Sequence, residues 1–209
     1  MIRSRVVALV AVLLAAMSYG LLGSGDKAVA IPTDTGWTQG YNNFPSNVNC
    51  FQSPPTNLGC TAWVAGAFLT VHDTTGLGVS IAQAINNWNA DRLYANTPYF
   101  YASSNTNSNV VISWATLNGG CAVTNTVANY VPPDSRNQRT IVSATIQVVS
   151  RNPCGYNNVG DITHELGHSI GLGHTAYTSQ IMYPSIQGIS APQARDICGF
   201  NRIYTQYSC

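Results

Sequence analysis

His164-Glu165-Leu166-Gly167-His168-Ser169-Ile170-Gly171-Leu172-Gly173-His174 decides how this 209-residue chain is read. The stretch has the form HExxHxxGxxH and holds three of the four histidines and the only glutamate in the sequence. His164 and His168 are four apart, so on an α-helix their rings leave one face, one turn above the other. That spacing suits two imidazole nitrogens meeting one ion at about 2.0–2.1 Å. His174 comes six residues later. In a continued helix it would be displaced by about 9 Å and turned to another face. It reaches the same ion only if the helix stops and the chain turns back. Gly171 supplies the stop, because glycine takes positive φ without steric cost. Three neutral imidazoles leave the fourth tetrahedral position to water, the pattern of a catalytic rather than a structural zinc site. Glu165 follows the first ligand and is placed to take a proton from that water and return it to a leaving amine. The expectation is metal-assisted hydrolysis of a peptide bond, with one zinc ion on His164, His168 and His174 and Glu165 as general base.

The motif resembles that of the metzincin zinc peptidases, whose extended histidine pattern is followed by a methionine turn. Met182-Tyr183-Pro184 downstream makes the chain most similar to the matrixin branch. The resemblance implies that Met182 lies beneath the zinc-binding imidazoles as an apolar floor. It also implies that Tyr183, Pro184 and Ile186 border the substrate. The implied fold is α+β: a twisted mixed sheet with a backing helix, an active-site helix, and a small irregular C-terminal part carrying His174 and Met182. Val79 to Trp88, with apolar residues at i, i+3, i+6 and i+9, reads as an amphipathic helix and is similar to the family's long first helix. Asn109 to Ala115 (NVVISWA) is similar to a central strand, and Ala191 to Tyr204 to the closing helix. The 121–130 segment then corresponds to the sheet edge beside the cleft, to which substrate would add as an extended strand. Asp196 would accept hydrogen bonds from the methionine turn.

Departures from the family limit what carries over. Arg139 to Ser150 contains no carboxylate, so the family's acid-rich calcium segment has no counterpart and calcium is not expected. Only His72 is left for a second zinc, and it reads as a surface residue near a turn. No cysteine-switch propeptide is recognisable. Ile186 stands where the family usually has a tyrosine, so cleavage specificity is not transferred. Asp161, one turn before His164, reads as a charge favouring the helix N-terminus.

The rest of the chain places this domain. Arg3 and Arg5 precede an apolar run from Val6 to Met17, and Ala28-Val29-Ala30 is a small-x-small cleavage site, so residues 1–30 read as a secretory signal peptide. Residues 31–209 then form a single catalytic domain of a size that buries one good core. Within it, 31–55 is either a packed N-terminal extension or a short pro-segment. Six cysteines in an exported chain imply three disulfides. Of the fifteen pairings, the sequential set Cys50–Cys60, Cys121–Cys154 and Cys198–Cys209 is the working assignment. Beyond residue 30 there are six arginines and no lysine against six aspartates and one glutamate, a net charge of −1. That balance gives no argument for nucleic acid or acidic lipid, and monomer is the default state. Thr61 to Val71 and Thr140 to Ser150 read as strands, and Ser103 to Asn109 as a polar loop.

Two rival classes compete with a secreted metalloendopeptidase acting on protein or peptide substrates. One is a catalytically inactive zinc-binding relative used for recognition. The other is a disulfide-stapled protein- or glycan-binding module with structural zinc. Retention of Glu165 argues against the first, and the want of an evident fourth protein ligand against the second.

Overall fold

The computed structural model describes residues 61–130, 139–150, 158–185 and 188–205. Along the chain lie β1 (Thr61–Ala62), β2 (Phe68–Asp73), α1 (Gly78–Ala90), β3 (Tyr99–Ser103), β4 (Val110–Trp114), β5 (Ala122–Tyr130), β6 (Arg139–Val148), α2 (Asn158–Ser169) and α3 (Ala194–Tyr204). The sheet runs β1-β6-β4-β2-β3 with all these neighbours parallel, and β5 pairs β6 in the antiparallel sense. The sheet is therefore mixed, and the α+β architecture expected of a metzincin is the one observed. The expected signal peptide, the 31–55 segment and Cys50–Cys60 lie outside the described residues.

Period-two burial explains why the strands sit as they do. Leu69 and Val71 of β2, Phe100 of β3, Val110 and Ile112 of β4, and Ala144, Ile146 and Val148 of β6 are buried together. Their sequence neighbours Phe68, Tyr99 and Tyr101 are exposed, and β4 keeps the alternation until its last residue, Trp114, which is exposed. One face thus meets the helices. In β6 the alternation slips at Val142, where the pairing with β5 shifts between Val127 and Ala128. A bulge of this kind lets Ile141 and Ala144 share the buried side although they are three apart.

Two expectations need correction. The 61–71 run is two strands, not one. The chain turns between them at Gly66, whose φ is +73°, and Ala67 N–H donates to Val64 C=O at 3.1 Å. The segment is apolar throughout, so only Gly66 marks the break. The buried face of α1 is also different: it is Ile81, Ala84, Ile85 and Trp88, while Val79 is 86% exposed. Steps of three slip by about 60° each on a helix, so residues nine apart point to opposite sides. Val79 and Trp88 therefore cannot share a face, and the i, i+3, i+4, i+7 set carries the packing. The closing helix starts at Ala194 rather than 191, where Gln193 and Asp196 form a reciprocal capping box.

Trp88 joins the three helices. Its ring meets Phe200 of α3 edge-on, with centroids 5.3 Å apart. Its indole N–H donates to Thr163 C=O of α2 at 2.7 Å. Beside it Gly167 has no room for a side chain: a Cβ there would overlap the sulfur of Met182 and crowd the Trp88 ring. No described helix is long and apolar enough to cross a membrane.

Candidate metal centre and cleft

α2 delivers two of the three histidines, and its termination delivers the third. Leu172 N–H donates to Gly167 C=O at 3.0 Å and Gly171 N–H to His168 C=O at 2.9 Å. These two bonds form a Schellman closure with Gly171 at φ +96°. Two further carbonyls of the last turn are capped by side chains. Trp63 Nε1–H donates to Ser169 C=O at 2.7 Å, and Tyr204 O–H to Ile170 C=O at 2.7 Å. The helix end is thus buried without orphaned acceptors there, and the chain is free to return with His174.

The ligand nitrogens of His164, His168 and His174 lie within 4.8 Å of one another. His168 Nε2 and His174 Nε2 are 3.1 Å apart. Two imidazole ligands at tetrahedral angles about one zinc would sit about 3.3 Å apart. The inner rings are oriented from outside the tripod. His164 Nδ1 lies 2.6 Å from Ile181 C=O, and His168 Nδ1 lies 2.8 Å from Leu172 C=O. A carbonyl accepts only, so each Nδ1 carries the proton and each Nε2 offers a lone pair. Burial lowers the pKa of His164 to about 4 and of His168 to about 3, helped by their mutual repulsion with the neighbouring imidazoles. Burial lowers that of the more exposed His174 as well. Neutral, pre-oriented imidazoles are what a zinc ion requires, so the residues present fit the metal.

The methionine turn is held by three separate ties. Ile181 C=O receives His164, as above. Thr175 N–H donates to Met182 C=O at 3.0 Å, joining the turn to the His174 loop. From α3, the buried Asp196 carboxylate accepts Ile181 N–H at 2.9 Å and Met182 N–H at 3.4 Å. Met182 is fully buried. Tyr183 is half-buried and Pro184 exposed; both line the cleft beside His164 and Glu165. Ile186 lies outside the described residues.

Glu165 is 5% exposed, and burial raises its pKa to about 7, partly offset by a hydrogen bond from Thr124 and reinforced by the Asp161 charge. The Thr124 hydroxyl on β5 donates to Glu165 Oε2 at 2.6 Å and lies 2.9 Å from the Glu165 C=O. Thr124 escapes a reading by pattern, because nothing in a polar–apolar edge strand distinguishes this threonine from Thr126. Asp161 is 8% exposed, its Oδ2 is buried without a hydrogen-bond partner, and burial raises its pKa to about 6. An exposed helix-terminus charge is worth about 0.3–1 kcal/mol, less than the roughly 1–3 kcal/mol cost of an unsatisfied buried polar group. Asp161 does stand in the first turn of α2, as expected, and in a partly buried setting that charge contributes up to about 2 kcal/mol, which offsets part of the cost of its burial. His72 is half-buried at the end of β2, with Nδ1 3.1 Å from Ser103 C=O, away from the tripod. Cys121 and Cys198 are not free; Cys154 and Cys209 lie outside the described residues, so the sequential pairing is not addressed.

A mixed sheet, a helix bearing two histidines, a glycine-closed return to a third and a buried methionine define the metzincin class. The model of one metzincin family, Matrixin, matches residues 79–205, more than half of the chain, and the chain belongs to that family. A stretch of 54 residues is 43% identical to rat (Rattus norvegicus) matrilysin, covering 24% of this chain and 20% of that protein. The match thus spans about a fifth of the length of that curated relative.

Proposed function

We propose that this protein is a secreted zinc metalloendopeptidase. The observation that carries the reading is the convergence of three neutral imidazoles beside one buried carboxylate in an open cleft. His164, His168 and His174 would hold the metal. Bound zinc would supply a Lewis acid for the scissile carbonyl and would acidify a water toward neutrality. Glu165 is the general base: burial holds its carboxyl above the usual carboxylate range, which suits it to take a proton and return it. Thr124 fixes Oε2, so the base meets the substrate in one orientation. β5 pairs only with β6 among the described strands, which leaves its other edge for the backbone of an extended peptide. Tyr183, Pro184 and Ile186 border the bound chain, and Met182 and Gly171 hold the site's shape.

Residues 1–30 act as a cleaved signal, residues 31–209 as one catalytic domain, and three disulfides add to its stability by about 2–4 kcal/mol each. The domain works as a monomer with one zinc and no calcium. The test is hydrolysis of casein by the purified 31–209 chain before and after removal of metal by a chelator. Activity is expected to vanish on chelation and return with zinc, while the fold persists. Cleavage insensitive to chelation would refute the reading.

A further inference from the structure

Asp161 is a buried carboxylate that the proposed hydrolysis does not use. It stands one helical turn before His164, about 4.5 Å along the axis, on the face that carries the tripod. It lines the same cleft, of about 170 Å³, as His164, Glu165 and His174. The cleft's opposite walls come from the start of β5, at Ala122, and from Tyr183 and Pro184. No lysine or arginine is among the described residues that line it. Asp161 Oδ2 is sealed from solvent and accepts no hydrogen bond. Its charge also bears on Glu165, so two acidic groups share the cleft with no cationic side chain among its described walls. A buried carboxylate with an unpaired oxygen is a costly arrangement, and zinc on the histidines one turn away would bring it no hydrogen-bond donor.

We propose that Asp161 makes this cleft select peptides with an arginine or lysine adjoining the scissile bond. The inference rests on the peptidase reading, which it deepens by naming a substrate class. A guanidinium or ammonium entering the cleft meets Asp161 within one side-chain length of the tripod. It supplies the opposite charge. With its carboxyl at about 6, Asp161 is mostly ionised at neutral pH and ready to receive it. An acidic side chain at the same place would face the Asp161 charge and be disfavoured.

The test uses internally quenched peptides that differ only at the two residues flanking one bond, with arginine, lysine, methionine or glutamate at each position. Methionine is the neutral comparator because it is long and unbranched. The zinc-loaded 31–209 chain is compared with D161N, nearly the same shape, and with D161S as a second variant should D161N fold poorly. The chain is expected to favour arginine or lysine over methionine at one flank by at least about tenfold in kcat/KM. In the variants that ratio falls toward one, and glutamate becomes less disfavoured. Cleavage without a basic preference, or a preference untouched in both variants, overturns the proposal. Binding of the same peptides to zinc-loaded E165A separates the two readings. Preferential arginine binding that D161N abolishes, together with no cleavage of any peptide by the parent chain, would sink the hydrolysis and keep the pocket. Neither cleavage nor preferential binding would sink both.

Discussion

The sheet with α1 and the irregular stretch from Ile170 to Gln193 have their backbones fixed in different ways, and the histidine tripod bridges them. In the first, regular strand and helix ladders carry apolar burial: Leu69, Val71, Phe100, Ile112, Ile146 and Trp88 are all buried in one core. In the second, Ile170, Leu172, Ile181 and Met182 reach into the same core, but the irregular backbone between them is fixed by single hydrogen bonds. His164 holds Ile181, Thr175 holds Met182, and Asp196 holds both turn amides. His164 and His168 therefore stand on a packed helix, whereas His174 depends on a polar lattice. The difference teaches that damage to the core should show as lost stability, and damage to the lattice as lost metal affinity.

Trp88→Ala is the strongest way to break that contrast. It removes a fully buried ring and its bond to Thr163 and should cost about 3–5 kcal/mol in urea unfolding. The folded fraction should still bind zinc nearly as tightly as the parent. A collapse of zinc affinity at temperatures where the variant is folded would show that the two regions are not separable.

Asp196→Ala comes next. It strips the acceptor from Ile181, Met182 and Gln193 amides, an expected cost of about 2–3 kcal/mol. Zinc affinity, measured by competition with a chromogenic chelator, should fall by about tenfold or more, as for a lost partner of a metal ligand. Gly171→Ala forces a side chain into φ +96° at about 1–3 kcal/mol. Because that residue sets the return of His174, the variant should lose affinity out of proportion to stability.

The smallest effect is electrostatic. In the metal-free protein His164 and His168 stay neutral down to about pH 4 and about pH 3, whereas in the unfolded chain they charge near pH 6.5. Between those limits the unfolded state binds more protons, so their contribution to stability falls as pH falls. Glu165 and Asp161, raised to about 7 and about 6, act in the opposite sense, because there the native state binds more protons. His168→Asn should remove one histidine's share. Relative to its own value at pH 7.5, the metal-free variant should lose less stability than the parent at pH 5.5, by about 1 kcal/mol. Melting curves at the two pH values check this, and an unchanged slope would place His168 in a wetter setting than the fold gives it.

The same contrast explains what could be read from the sequence. Fixed spacing survives without coordinates: a step of four from His164 to His168 means one helical face, and a glycine before His174 means a reversal. The sheet was legible where β-branched residues crowd together, as in β4 and β6. Legibility failed where the deciding contact is between distant segments. The break at Gly66 lies in an unbroken apolar run. β3 carries one buried residue, Phe100, between exposed tyrosines, and no alternation announces it. Thr124 meets Glu165 across 41 positions, and Trp63 caps α2 across 106. In α1 the spacing of three matched apolar residues but not the 100° step of the helix, so the face was assigned to Val79 instead of Ile81.

Glu165→Ala offers the most direct test of the central claim, that a carboxylate beside the tripod acts on the substrate and not on the metal. The purified variant should be assayed for zinc content and for casein cleavage alongside the parent. The account expects about one zinc per chain in both proteins and cleavage only in the parent. A variant that still cleaves casein at the parent's rate, or one that loses its zinc, would contradict it.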